Sequence, residues 1–376
     1  MVVIIFRVLL VSVFAPYQLV MALFARKLPP KGKPPLFLFG FTPWKTFIHD
    51  WFPDRRIIFT STKMLPVEFN LHWKWRLLRD RRSEVLTWQY QGLPIVKKFC
   101  RERDIPFQYV EDGFVRSIKL GALHAPPMSL TFDRQDMYFN AEAPTDLENI
   151  LSSYNFEADA ALIERSRACI ARLLHTGISK YNSGAAVDAT DLYGPKRSKR
   201  ILVIGQVERD ASIAYGCRQP YTNSQLLKLA RDENPAAEII YKPHPEVLKG
   251  IAPNTFSIDE AGASTRVLEK DISLADSFPT IDHVYTITSL SGFEALLRGL
   301  KVTTVGCPFY SGWGLTDDRQ PNPRRNRRLT IEQLFAGAYI LYPRYFDPDT
   351  KRYIQLEEAL DILALKREQL CNTYSD

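Results

Sequence analysis

The sequence predicts an α/β protein of two domains, each built on a mainly parallel sheet, and three observations carry that expectation. Short apolar runs alternate with amphipathic stretches from residue 35 onward. The alternation pauses at a small, polar and basic stretch near residues 183–199 and then restarts. The length of 376 residues exceeds what one small core needs and suits two domains of ordinary size.

The segment 1–33 stands apart from this pattern. Val2 to Phe24 is strongly apolar, broken only by Arg7, Pro16, Tyr17 and Gln18, and it runs into Arg26-Lys27, Lys31 and Lys33. No small-x-small cleavage site follows it, which argues against a secretory signal. It is expected to attach to a membrane, either as a short span or as an interfacial helix with basic flanks. The plainer alternative is a buried first strand and helix.

Residues 34–182 form the expected first domain. Pro35 to Gly40, Arg56 to Thr60, Glu84 to Trp88 and Ile105 to Val110 read as buried strands, with Glu111-Asp112-Gly113 at the C-terminal end of the last. Thr145 to Leu174 is helical in pattern. After the 183–199 linker, the second domain (200–329) has strands at Ile201 to Ile204, Glu238 to Tyr241, His283 to Ile287 and Lys301 to Val305. A helix from Asn223 to about Arg231 lies between the first two, as a parallel crossover requires. In 330–376, Thr330 to Leu341 and Leu356 to Leu370 read as helices that pack back across both domains. Two Rossmann-like domains facing a cleft follow, with ligands at the carboxyl ends of the strands.

A hydrophobic content of 45% with 24% charged residues belongs to a chain that folds in water, which excludes general disorder and a multispanning membrane protein. The net charge of +7 suits an acidic partner. Basic residues concentrate at Lys74 to Arg82, Lys196 to Arg200 and Arg324 to Arg328 without any nucleic-acid module. Solvated loops or a face turned to anionic lipid are expected, and no nucleic-acid partner. The five scattered cysteines offer neither a zinc motif nor a disulfide framework and suit the reducing cytosol.

Neither G-x-G-x-x-G after a strand nor G-x-x-x-x-G-K-[ST] occurs, so nicotinamide redox chemistry and P-loop phosphoryl transfer lose their main signatures. Lys242-Pro243-His244-Pro245-Glu246 follows an apolar strand and puts an ammonium and an imidazole where a phosphate would lie; alone it also fits a proline-rich turn. Ser289, Ser291, Gly292 and Glu294 sit at a strand-to-helix junction. Ser291 and Glu294 fit a capping box, the serine hydroxyls can hold a phosphate, and Gly292 allows it a close approach. Glu111 and Asp112 place two carboxylates before a glycine turn, one able to serve as acid or base. Gly205 to Ser212 makes Asp210 a candidate nucleophile, with Glu208 and Arg209 read as surface residues. Asp347-Pro348-Asp349 resembles a metal-binding acid pair but reads as a turn between C-terminal helices. No metal or other cofactor is expected.

The motifs Glu111 to Ser117, Gly205 to Ser212, Tyr241 to Pro245, Ser289 to Glu294 and Tyr310 to Asp318, in this order, resemble the bacterial capsule-polysaccharide biosynthesis family of β-Kdo transferases. The likeness covers roughly residues 35 to 345. It implies a GT-B fold and transfer of 3-deoxy-D-manno-oct-2-ulosonic acid (Kdo) from CMP-Kdo with retention, to a lipid-linked or glycan acceptor. It also implies Asp210 as the covalent nucleophile, Glu111 as the acid/base group with Asp112 its neighbour, and His244, Ser289 and Ser291 as holders of the CMP phosphate. Gln206 and Pro245 belong to the matching motifs. Lys242 or Arg116 is expected to pair with the carboxylate of Kdo. CMP-sugars are made in the cytosol, so the cytoplasmic face of the inner membrane is the expected location, with peripheral or N-terminal attachment and an anionic lipid surface as partner. The acidic-acidic-glycine and His-Pro pair is similar to bacterial sialyltransferases as well, which makes CMP-sialic acid transfer one alternative. A noncatalytic export or assembly factor is the other.

Overall fold

The apolar runs read above as strands all form strands, and the central ones, Pro35–Phe39 and Arg200–Ile204, are buried along their whole length, as a covered parallel sheet demands, while the edge strand Arg56–Phe59 is only partly buried. The computed structural model describes residues 2–25, 31–119, 121–180, 182, 189–253 and 265–373. The chain divides into two units, one of Met1–Asp112, Leu130–Met137 and Phe346–Tyr353, the other of Gly113–Ser129, Tyr138–Tyr345 and Ile354–Asp376. This is the expected α/β class of GT-B type, with a mainly parallel sheet in each unit. The changeover falls at Asp112 and Gly113, ahead of the linker expected at 183–199, of which residues 183–188 lie outside the described residues.

The first unit carries strands β1 (Pro35–Phe39), β2 (Arg56–Phe59), β3 (Glu84–Trp88), β4 (Phe107–Asp112) and β5 (Ser129–Asp133). With β12 (Pro343–Asp347) and β13 (Arg352–Ile354) they form a sheet in the order β13-β12-β5-β4-β3-β1-β2. β1 pairs in parallel with β2 and β3, and β3 with β4, whereas β4 and β5 are antiparallel. Successive side chains point to opposite faces. Leu36, Leu38, Leu86, Trp88 and Val110 join one apolar cluster, and Phe37, Phe39 and Val85 join another.

Val2–Ala25 is a single helix, α1, with Pro16 inside it, so the strand-and-helix alternative for this segment is set aside. It packs on the helical stretch from Pro66 to Leu77. Among the described residues, no helix is long and apolar enough to cross a membrane.

The second unit carries β6 (Arg200–Ile204), β7 (Glu238–Lys242), β8 (Thr265–Val267), β9 (His283–Thr286), β10 (Lys301–Thr304) and β11 (Asp317–Asp318). They lie in the order β11-β10-β9-β6-β7-β8, every neighbour pair parallel. The chain moves outward from β6 through β7 and β8, then returns to place β9 on the other side of β6. That reversal of direction opens a crevice at the carboxyl ends of β6 and β9, where ligands bind in sheets of this kind.

The C-terminal helices differ from expectation. Ile331–Phe335, which widens into a π-helical turn over Ala336–Leu341, and Leu356–Thr373 both pack on the helix Ala160–Thr176 of their own unit. Arg165 Nε bonds Glu357 Oε1 at 2.6 Å there. The segment that joins the first unit is instead the strand pair β12 and β13. Asp347-Pro348-Asp349 turns between those strands, not between helices. The Asp349 amide donates to Asp347 Oδ1 at 3.0 Å and the Thr350 hydroxyl to Oδ2 at 2.6 Å, so Asp347 shapes a local turn.

Candidate active site

β6, β7 and β9 lie side by side and all point the same way, so the loops leaving their carboxyl ends are neighbours. The first loop begins at Gly205, where a Cβ would lie against the Tyr241 hydroxyl and 3.2 Å from the Lys242 carbonyl oxygen. Gln206 then joins three segments. Its backbone N–H donates to Asn223 Oδ1 at 2.9 Å, its side-chain amide donates to Thr288 Oγ1 at 3.1 Å, and its Oε1 accepts from the Thr288 N–H at 2.7 Å. Thr288 Oγ1 continues to Ser212 Oγ at 3.2 Å. Gln206 therefore clamps the β6 loop to the β9 loop at the crevice. Glu208, read as a surface residue, is half-buried and accepts from the Asn223 N–H at 2.7 Å, which fixes the start of the helix Asn223–Glu233.

Asp210 is exposed and caps the helix Ala211–Gly216, accepting the Ser212 N–H on Oδ1 at 2.7 Å. One of its two carboxylate oxygens is thereby held by the cap. His244 plays the same local part after β7. It caps the turn Pro245–Leu248, Pro245 occupies the first helical position, and Nδ1 accepts from the Glu246 N–H at 3.2 Å. Burial pushes the His244 imidazole down to about 4, against the pull of Asp210 and Asp271. The ring is neutral at neutral pH, and because Nδ1 is an acceptor its hydrogen sits on Nε2, a ready donor to a phosphate oxygen. Burial raises the Glu246 carboxyl, Asp210 adds to that effect and Lys180 opposes it. Asp210, His244, Glu246 and Lys180 thus act on one another electrically. Lys180 had no motif of its own and belongs to no strand or helix, whereas Glu246 and Ser212 lay inside motifs without being given a role.

After β9, the cap of the helix Leu290–Leu297 is Ser289, with φ −63° and ψ 140°, accepting the Ser291 N–H at 3.2 Å. Ser291 lies inside the first turn and its hydroxyl accepts from that of Ser289 at 3.1 Å, so the expected Ser291–Glu294 capping box does not form. Glu294 is buried in the helix, where desolvation lifts its carboxyl to about 7 against the influence of Arg298 and a backbone hydrogen bond from Lys180. Gly292 serves packing: a Cβ would collide with the Tyr310 hydroxyl and come within 2.9 Å of Thr286 Cγ2. That hydroxyl donates to the Ser289 carbonyl, so Tyr310 braces the cap from behind. Gly292→Ala is expected to lower stability by ~1–3 kcal/mol, with part recovered in Gly292→Ala/Tyr310→Phe, as read by thermal melting.

Two residues expected to meet a sugar carboxylate point inward. Lys242 is buried and donates to the Ile272 carbonyl at 2.7 Å, and desolvation lowers its ammonium to about 8. Arg116 is fully buried, with Nη1 donating to Ser117 Oγ at 2.8 Å. Lys242 thereby holds a backbone segment in place, and Arg116 braces the Ser117 side chain. In the first unit, Glu111 and Asp112 are the last two residues of β4 itself, paired with Thr131 and Leu130 of β5, and both are buried.

Asp210, His244 and Ser289 each cap a short helix that starts just after one of the neighbouring strands β6, β7 and β9, and comparison with known proteins narrows the setting. The family described as capsule polysaccharide biosynthesis protein matches residues 89–345. The chain belongs to that family. It is 41% identical over 338 residues to the lipopolysaccharide-processing protein LpsZ of Rhizobium meliloti, covering 89% of this chain and 75% of that protein. It is 40% identical over 344 residues to the capsule polysaccharide modification protein LipA of Neisseria meningitidis serogroup A, covering 90% of this chain. The match spans 46% of LipA, a little under half its length. Two solved structures of Thermosulfurimonas dismutans KpsC are also similar. One, a β-Kdo 2,4 transferase, has a TM-score of 0.75 and 30% identity over 89% of this chain and 99% of that one. The other, a β-Kdo 2,7 transferase, has a TM-score of 0.68 and 32% identity over 88% and 99%. The family places the chain in capsule polysaccharide biosynthesis or modification, and the KpsC-like structure supports a glycosyltransferase role.

Proposed function

We propose that this chain transfers Kdo from CMP-Kdo to a lipid-linked or glycan acceptor with retention of configuration. The observation that supports this best is the nearness of Asp210 and His244, which cap the short helices following the neighbouring strands β6 and β7 and act on each other electrostatically. Asp210 attacks the anomeric carbon of Kdo as the bond to the phosphate oxygen breaks, and CMP leaves with the bonding pair. The His244 Nε2–H and the Ser289 helix start receive the charge that grows on the phosphate, so the reaction as proposed needs no metal. An acceptor hydroxyl then attacks the same carbon, the bond to Asp210 breaks, and the hydroxyl proton passes to a carboxylate. Glu111 is proposed for that last role, with Asp112 as its neighbour, on the strength of the family motif. Two displacements at one carbon give net retention. The proposed setting is the cytoplasmic face of the bacterial inner membrane, where cytosolic CMP-sugars meet lipid-borne acceptors.

Side-by-side incubation with CMP-Kdo and CMP-sialic acid, with CMP release as the readout, tests the donor. Turnover of CMP-Kdo is expected. Preferential turnover of CMP-sialic acid would move the assignment to that sugar, and CMP release from neither donor, across lipid and glycan acceptors, would favour a noncatalytic assembly factor.

A further inference from the structure

Over residues 13–24, helix α1 shows two faces. At 100° per residue, Val13, Tyr17, Val20 and Phe24 fall on one line, with Phe14 and Met21 beside them, an arc of ~120°. All six side chains are exposed, Val13 at 74% and Phe24 at 63%, and Leu23 at the edge of the arc is 60% exposed. The opposite face is the docked one: Gln18 and Ala22 are buried there, and Gln18 Oε1 accepts from Arg79 Nη2. The polar residue of this stretch is therefore turned into the protein and the large apolar residues are turned out, the reverse of a helix that ends at water.

The ground beside this face is basic. The Arg79 guanidinium lies over the ring of Tyr17, 5.8 Å from its centroid, which brings a cation to the border of the apolar arc. Burial and the charges of Arg79 and Arg56 depress Arg76, so the three arginines share one neighbourhood. Lys74 lies in the same helical stretch, its ammonium 4.7 Å from the Trp75 ring centroid. Acidic neighbours are engaged elsewhere, Asp80 with Arg82 and Glu84 with Arg55, each at 2.9 Å. Among the described residues, no ion pair to a carboxylate joins Arg56, Lys74, Arg76 or Arg79. An apolar ridge rimmed by cations and aromatic rings matches the interface of an anionic bilayer, where acyl chains take the ridge and headgroup phosphates take the cations.

We infer that α1 is an in-plane membrane anchor, fixed to the protein by Gln18 and Ala22 and presenting Phe14, Tyr17, Val20, Met21 and Phe24 to anionic lipid. The inference gives the proposed membrane setting a specific surface and does not depend on the identity of the donor.

The test is sedimentation of the full chain with vesicles of phosphatidylcholine alone and of phosphatidylcholine mixed with phosphatidylglycerol. The chain is expected to bind the mixed vesicles, and the double variant Phe14→Asp/Phe24→Asp to lose ~10-fold or more of that affinity. Arg56→Glu/Lys74→Glu should weaken binding several-fold and make the remainder less sensitive to salt. All four positions leave the core intact, which matching thermal melts of the variants would verify. Wild-type protein remaining in the supernatant with both vesicles would overturn the inference, as would unimpaired binding of the phenylalanine double variant. A wild-type dimer that the double variant converts to monomer, without vesicle binding by either, would assign the face to a second copy of the chain. CMP release measured on the same samples keeps the two proposals separable, since either readout can fail while the other stands.

Discussion

Asp210→Asn is expected to reduce transfer from CMP-Kdo by ~10⁴-fold or more while leaving the protein folded. Asparagine is chosen because Asp210 has two jobs that the substitution separates. Its Oδ1 caps the helix Ala211–Gly216 through the Ser212 N–H, and asparagine caps about as well as aspartate. An amide oxygen cannot form the glycosyl ester on which the proposed retention depends. Asp210→Ala would remove cap and nucleophile together, adding ~1 kcal/mol of lost stability and blurring the result. Thermal melting should show Asp210→Asn close to the parent and Asp210→Ala below it. Undiminished turnover by the asparagine variant would remove Asp210 from the covalent role.

His244→Ala is expected to lower kcat/KM for the donor by ~10²-fold, because it removes a preorganised donor from the leaving phosphate. His244→Gln should restore part of this, since its amide can reach the place of the Nε2–H. A separate, structural readout follows from the titration. The folded imidazole is depressed to about 4 from an ordinary value of 6.5, so between those pH values the unfolded chain binds a proton that the folded one does not. Stability contributed at this position is complete above pH 6.5 and is lost as pH falls toward 4. Denaturant unfolding of parent and variant at pH 7 and pH 5 should show a smaller acid loss in His244→Ala. An equal loss in both would mean that the ring titrates normally in the fold.

The parts of this architecture most legible in the sequence are the strands buried on both faces. Ile201 to Ile204 and Pro35 to Phe39 are continuous apolar runs because helices or loops cover each side of their sheets, and no alternating pattern competes with that signal. β5 mixes Ser129, Thr131 and Asp133 with its apolar residues, and β8, β11 and β13 are only two or three residues long, so no periodicity could declare them. The return of the chain to the first unit through β12 and β13 depends on distant pairing, which no local pattern encodes.

The candidate site was legible to a similar degree. Motif order brought Asp210, His244 and Ser289 to notice, and parallel neighbours β7, β6 and β9 explain why residues far apart in sequence share one end of a sheet. Finer placement depended on single dihedrals and on side-chain direction. Ser289 and Ser291 are two residues apart and chemically alike, and only the extended backbone at Ser289 identifies the cap. Lys242 reads as a phosphate or carboxylate partner until its position at the end of β7 turns its ammonium to the Ile272 carbonyl. Gly292 reads as room for a ligand, yet the space is taken by Tyr310, a residue of a later motif. Lys180 was invisible because its nearness to His244 and Glu246 comes from tertiary packing alone.

The proposed covalent bond between the sugar and Asp210 can be seen by mass spectrometry of the full chain incubated with CMP-Kdo in the absence of acceptor. One Kdo residue is expected on the protein, carried on the peptide containing Asp210, absent in Asp210→Asn and discharged when acceptor is supplied. CMP release with transfer to acceptor but with no adduct at any stage, or an adduct that persists in Asp210→Asn, would contradict it.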